Sequence, residues 1–397
     1  MAAANKHLTH LEDRIILDGS KGGDDAIKLL EEMGKVLTGK PGAATQLTTK
    51  WDGAPAIVCG IDPADGQFFV GTKSVFAKEP KLMKTEADIQ REYSGPLAQK
   101  LSAALRYLPQ SVKSGVLQGD LMFTNDKKRE TIDGKQYITF RPNTITYAAD
   151  PKTKLGRQII AAQIGIVFHT KYTGPSIKEL KASFNVRSSD FSTGGNVWAE
   201  RATFTDISGV ANFTMTEKRN YDAAIRQAIG SLKQAKKTLR DIQTGGKALG
   251  FDTEFLKFFN AYVKQGKEIP SVAQAYSDYI THLGNEYNKA MGPLKTQKAV
   301  NAKAKKWAGQ TFFILKNEKG FQMVIAAYMN LAKAKMMLVD KLKRVSSLNL
   351  FVDKGNGDYV ATTPEGFVAI QNDQATKLVD RLEFSKLNFT IPKNWDK

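Results

Sequence analysis

The hydrophobic pattern changes period partway along the chain, and that change limits the architecture more than any single motif does. Between about residues 215 and 347 apolar side chains recur at helical spacing: Ala224, Ile225, Ala228, Ile229, Leu232 and Leu239 give one segment an apolar side. On both flanks, short β-prone runs are broken by Gly, Pro, Asn and Asp, as strands are by turns. Charge follows the same division. Residues 217–350 hold 24 Lys and Arg against 10 Asp and Glu, an excess of 14 within a formal net charge of +18. Three segments are therefore expected, 1–213, 214–348 and 349–397, the middle one helical and the two flanks built mainly of short strands.

At 397 residues the chain can bury a large core, and 42% hydrophobic with 25% charged residues is the balance of a soluble globular protein. No run of eighteen apolar residues is present, so no membrane partner is expected. The first residues lack the apolar core of a signal peptide, and the single cysteine, Cys59, cannot make an internal disulfide. A reducing cytoplasm is the expected setting, with a monomer in it. The excess of positive charge favours a polyanionic partner, because each Lys or Arg near a phosphate releases counterions.

The first segment reads as a helix over 23–37, strands over 56–61 and 67–70, a helical region over 86–107 and strands over 115–123, 137–140, 144–148 and 164–169. Thr216 is a possible cap for the first helix of the middle segment. Lys233, Lys236, Lys237 and Arg240 sit opposite an apolar side, and Lys303, Lys305 and Lys306 adjoin Trp307. With few acids nearby, both sets suit contact with a phosphate backbone.

Residues 47–58, LTTKWDGAPAIV, put a lysine amine, a carboxylate and a tight backbone on one short loop. Lys50-Trp51-Asp52-Gly53 resembles the KxDG motif of the covalent nucleotidyltransferases, the superfamily of ATP-dependent DNA and RNA ligases and messenger-RNA capping enzymes. Three further stretches follow in the order that superfamily uses. Gly119-Asp120 resembles the strand end whose acid holds the nucleotide ribose, with Asp in place of the usual Glu. Glu365-Gly366-Phe367-Val368 resembles the EGxV motif, whose glutamate engages the metal, with Ile370 where a basic residue is usual. Lys377 and Arg381, on a strand expected over 375–381, resemble the basic pair that grips the triphosphate; Lys377, Val379 and Arg381 would share one face. The resemblance further implies that Phe168 stacks on the purine and that Lys73 contacts substrate. Pro55 and Ala56 stand where DNA ligases usually carry an arginine.

The resemblance implies an ATP-dependent polynucleotide ligase with an α+β fold, a nucleotidyltransferase (adenylation) domain of antiparallel sheets flanked by helices into which residues 214–348 are inserted as an all-α domain. Lys50 would take AMP from ATP, with Asp52, Gly53 and Lys377 beside it and Mg²⁺ held by Glu365 and Asp52. AMP would then pass to a 5′-phosphate, and a 3′-hydroxyl would close the break. Free lysine has a pKa of about 10.4, so the site must hold Lys50 neutral, and neighbouring cations supply that push. The expected partner is nicked or broken duplex DNA, with RNA or an RNA–DNA hybrid as the alternative. Small basic stand-alone ligases of this kind resemble those encoded by bacteriophages. Only 16 residues follow Arg381, so the helical block is expected to replace a downstream oligonucleotide-binding barrel as the clamp. A capping-type guanylyltransferase, an RNA ligase and a non-catalytic nucleic-acid-binding protein are the alternatives. Gly245-Gly246-Lys247 lacks P-loop spacing, and the four histidines make no zinc-ligand pattern with Cys59.

Overall fold

Strand-patterned flanks and helical middle fold as three β-sheets and a helical bundle in a computed structural model, which describes residues 9–38, 45–202, 212–246, 249–343, 349–353, 359–361, 366–371 and 374–383. The N-terminal part runs β1 (Thr9–His10), α1 (Arg14–Leu17), α2 (Gly19–Val36), β2 (Thr45–Lys50), β3 (Ala56–Ile61), β4 (Phe68–Gly71), α3 (Glu86–Glu92) and α4 (Gly95–Tyr107). It continues through β5 (Val116–Phe123), β6 (Lys128–Ile132), β7 (Lys135–Phe140), β8 (Thr146–Ala149), α5 (Lys154–Ala161), β9 (Ile164–Thr173), β10 (Lys181–Ser183) and β11 (Val197–Arg201). The helical part is α6 (Met215–Asp241), α7 (Phe251–Lys264), α8 (Val272–Met291), α9 (Gln297–Lys316) and α10 (Glu318–Leu342). The chain then returns to strands: β12 (Asn349–Asp353), β13 (Tyr359–Ala361), β14 (Gly366–Gln371) and β15 (Gln374–Val379).

The fold is mixed α+β, and its strand pairs are mainly antiparallel. One sheet has the order β10-β9-β5-β3-β4, with β11 added parallel to β9; another has the order β13-β12-β8-β7-β6. The third, β1-β15-β14-β2, unites both ends of the chain: β14 lies antiparallel between β2 and β15, and β1 runs parallel to β15. Among the described residues no helix is long and apolar enough to cross a membrane.

The helical bundle does not close on its own. Its core takes in Leu11, Ile15, Leu30 and Met33 from the N-terminal segment and Phe367, Ala369 and Leu378 from the third sheet. Helix α2 packs on α6 at close range, since a Cβ on Gly34 would stand 2.8 Å from the ring of Tyr221. Each large apolar side chain buried here, such as Phe321 or Leu331 of α10, contributes about 1.5–3 kcal/mol of transfer free energy. Helix α6 is capped by Thr214 and not by Thr216. The Thr214 hydroxyl accepts from the Glu217 N–H (3.2 Å), and the Glu217 carboxylate accepts from the Thr214 N–H (2.8 Å), a reciprocal pair. The region expected as one helix over 86–107 is two, because extended backbone at Tyr93 and Ser94 separates α3 from α4.

Candidate functional site

Lys50 is the last residue of β2, opposite Gly366 in the pairing with β14. Across β14, Val368 pairs with Lys377 on one side and with Thr48 on the other. This register brings Lys50 and Lys377, remote in sequence, to one cleft of about 290 Å³. Lys73, from the one-turn 3₁₀ helix Lys73–Phe76, joins them, as do Asp120 of β5 and His169 of β9. Three ammonium groups, a carboxylate and an imidazole thus converge where the third sheet meets the β9-β5-β3 face.

Asp120 is the one carboxylate that lines this cleft among the described residues. Burial pushes its carboxyl above the usual carboxylate range; His169 and Lys50 oppose that rise, and Asp52 adds to it. His169 Nε2 lies 3.9 Å from Asp120 Oδ1, and its Nδ1 is 2.7 Å from the Thr170 hydroxyl. Gly53 packs on the same strand so closely that a Cβ there would lie 2.5 Å from the Asp120 Cβ and 3.1 Å from the Leu121 carbonyl oxygen.

Asp52 has a different task from the metal ligation expected of it. Its Oδ2 accepts from the N–H groups of Thr144 and Ile145, both at 2.8 Å, and its Oδ1 accepts from Asn143 Nδ2 at 2.7 Å. The Asp52 N–H donates to the Tyr147 hydroxyl at 2.7 Å, and Trp51 stacks on the Tyr147 ring at 5.3 Å. The side chain is 6% exposed and is committed to anchoring the Lys50 loop on the 143–147 turn. Glu365, the other expected metal ligand, lies outside the described residues. Among the described residues no group of three or more His, Cys, Asp and Glu could hold a metal ion.

Phe168 and Arg381 also lie away from the cleft. Phe168 is fully buried with Ile164 and Ile166, its ring 5.2 Å from that of Phe191. The reason is a register shift. Gln118 pairs with Thr170 but Gly119 with Phe168, so His169 is an extra residue in β9. Before this bulge residues 164, 166 and 168 face the core; after it Thr170 and Tyr172 face the cleft. The aromatic rings available there are Trp51, Tyr172 and Phe184. Tyr172 donates its hydroxyl to Gln118 Oε1 at 2.6 Å, which fixes the Gln118 amide beside the cleft. Alternation in the sequence hides the bulge, so His169, Gln118, Tyr172 and Phe184 carried no signal there.

Strand β15 ends at Val379, and Arg381 begins a short helical turn, so the alternation expected through Arg381 does not extend to it. Its guanidinium donates to Asp13 Oδ1 (2.9 Å), the Tyr328 hydroxyl (2.7 Å) and Asn260 Oδ1, with Glu12 at 3.5 Å. Lys335 joins this buried network through Glu12 at 2.7 Å. The network ties the sheet to the bundle.

Of the basic residues expected at nucleic acid, Lys233, Lys236, Lys237 and Arg240 are exposed on α6. Lys237 pairs with Asp241 at 2.6 Å, while Lys233 and Lys236 face the acids Asp24 and Glu31 of α2 across a shallow groove. On α9, Lys305 is exposed, Lys303 is half-buried, and the Lys306 ammonium lies over Gly250. A larger open groove of about 1110 Å³, between α3, α4 and residues 124–126, holds none of the candidate residues.

Fold and cleft together define a mixed α+β protein with a lysine-lined cleft between two mainly antiparallel sheets. The chain belongs to a family of unknown function, DUF6267, whose model matches residues 5–393. A comparison with curated proteins and one with solved structures each give no match.

Proposed function

We propose that this protein is an ATP-dependent nucleotidyltransferase of the polynucleotide-ligase type, acting through Lys50 and sealing 5′-phosphate/3′-hydroxyl breaks in DNA or RNA. The observation that carries this reading is the convergence of Lys50, Lys73 and Lys377 with Asp120 on one cleft of about 290 Å³. Three ammonium groups around one small space repel each other, and a polyphosphate is the ligand that relieves that repulsion. The adenylation-domain fold that the sequence resembles is part of the same proposal.

Lys50, as the neutral amine, forms an N–P bond to the α-phosphorus of ATP. The bond to the bridging oxygen breaks, and pyrophosphate leaves with the electron pair. The amine proton passes to a base or to water, and Asp120 and His169 are the candidate acceptors that line the cleft. Lys73 and Lys377 would hold the phosphates. Asp120 would hold the ribose hydroxyls, and one of Trp51, Tyr172 and Phe184 would stack on the base in place of Phe168. Mg²⁺ would offset charge developing on the phosphoryl oxygens; of the residues expected to hold it, Asp52 does not fit. Lys50 then returns the adenylyl group to a 5′-phosphate, and the 3′-hydroxyl displaces AMP.

The test is incubation with Mg²⁺ and ATP or GTP labelled on the α-phosphate, then denaturing electrophoresis and peptide mapping. Label from ATP on Lys50 is the expected result. Label from GTP alone would move the reading to capping chemistry. No label, in protein free of bound AMP, would leave a nucleic-acid-binding protein.

A further inference from the structure

Helix α9 has an unusual outward face. Its twenty residues contain five lysines and no acid. At about 100° per residue, buried Gln310 and Ile314 and half-buried Trp307 turn one side of the helix to the bundle, where Trp307 stacks on Tyr287 at 4.7 Å. Lys298, Lys305, Phe312 and Lys316, at successive spacings of seven, seven and four, fall together on the opposite side. Phe312 is 67% exposed and its neighbour Leu315 is 56% exposed. The Lys316 ammonium sits 5.7 Å from the centroid of the Phe312 ring. Among the described residues Lys298 and Lys305 make no ion pair with a described acid.

Core packing does not account for a phenyl ring centred on the solvent side of a cationic helix. We propose that the outward face of α9 is a docking track for single-stranded nucleic acid, with Lys298, Lys305 and Lys316 following the phosphates and Phe312 stacking on an unpaired base. Steps of seven and eleven residues set Lys298, Lys305 and Lys316 about 10 and 16 Å apart along the helix, so the three can meet separate phosphates of one extended strand. A base in a duplex is already stacked on both faces and cannot reach the ring, whereas an unpaired base presents a π-face to it. A membrane-surface helix would carry its lysines beside a wide apolar face, and here they lie on the same line as the ring. The track rests on the polynucleotide reading for its partner but not on the chemistry of Lys50.

Fluorescence anisotropy of the full chain tests it, with labelled oligo-dT of twenty nucleotides, a DNA hairpin of equal phosphate count whose two strands are joined by a linker without bases, and vesicles containing phosphatidylserine as competitor. Phe312→Ala should weaken oligo-dT binding about tenfold, the effect of losing one stacked base, leave the hairpin unaffected and keep the thermal midpoint. Phe312→Trp should restore binding. Replacing Lys298, Lys305 and Lys316 by Gln should flatten the dependence of log affinity on log salt. The proposal falls if Phe312→Ala leaves oligo-dT affinity unchanged, if hairpin binding drops equally, or if only vesicle binding responds. The two readings fail separately. Phe312-dependent oligo-dT binding without self-labelling would leave the track and remove the nucleotidyltransferase; self-labelling with a silent Phe312→Ala would do the reverse.

Discussion

Gly366 sits directly opposite Lys50 in the antiparallel pairing of β14 with β2. Because β15 pairs with the other edge of β14, a single strand from the end of the chain holds the candidate nucleophile and Lys377 at one cleft. The relation makes the C-terminal strands part of the site.

Removing a cation from the cleft should damage phosphate binding and transition-state stabilisation together. Lys377→Ala and Lys73→Ala should each lower the rate of self-labelling from ATP by about 10²–10³-fold, the usual effect of deleting one aimed donor. Single-turnover labelling at saturating ATP reads it; unchanged rates in both variants would remove these lysines from the site.

Asp52→Asn should act first on stability. The carboxylate accepts from two backbone N–H groups and from Asn143, and an amide turns one of those acceptors into a donor. A loss of about 2–4 kcal/mol is expected, read as a lower urea midpoint at constant slope. A stable but inactive variant would instead argue that Asp52 touches the reacting groups.

Gly53→Ala should cost both fold and activity. The added Cβ, 2.5 Å from the Asp120 Cβ and 3.1 Å from a backbone oxygen, meets atoms that cannot swing away. Overpacking of this kind costs about 1–3 kcal/mol, and displacement of Asp120 should slow labelling further than the fall in thermal midpoint explains.

The pair Lys335–Glu12, both residues about 98–99% buried, offers a test of the tie between sheet and bundle. Lys335→Met leaves a buried carboxylate without its main partner and should destabilise by about 3–5 kcal/mol. Adding Glu12→Gln should recover much of that loss. Additive losses in the double variant would show that the two residues act independently.

Stability should fall as pH is lowered from 7. Burial, helped by Arg381, holds His10 at about 3, so between pH 6.5 and 3 the unfolded chain binds a proton that the folded chain does not. That stability is complete above pH 6.5 and is lost on the way down, about 2 kcal/mol of it by pH 5. Burial alone would raise Glu12, but Lys335 and Arg381 hold it at about 2, which adds a loss of the same sign below pH 4.5. His10→Asn should flatten the urea midpoint between pH 7 and 5; an unchanged slope would exclude His10 as its source.

Local chemistry was legible wherever a residue acts with its chain neighbours. The helix expected over 23–37 falls within α2 at 19–36, and the block expected to be helical from about 215 to 347 holds α6 to α10, because helical periodicity is local. Lys50, Lys73, Asp120 and Lys377 could be picked out by residue type and order, and all four line the cleft. Phe168 and Arg381 could not be placed that way. One extra residue at His169 reverses which side of β9 faces the cleft, and the end of β15 at Val379 frees Arg381 to join carboxylates from the far end of the chain.

The sequence by itself determined the helix and strand content, the concentration of charge in the helical block and the residue types able to do phosphate chemistry. These depend on periodicity and composition, which survive without contacts. Only the tertiary structure decided that Asp52 anchors a loop, that α2 completes the bundle and that Phe312 faces outward among lysines. Each of those turns on which distant atoms meet, and a buried carboxylate takes whichever N–H groups the fold brings within about 3 Å.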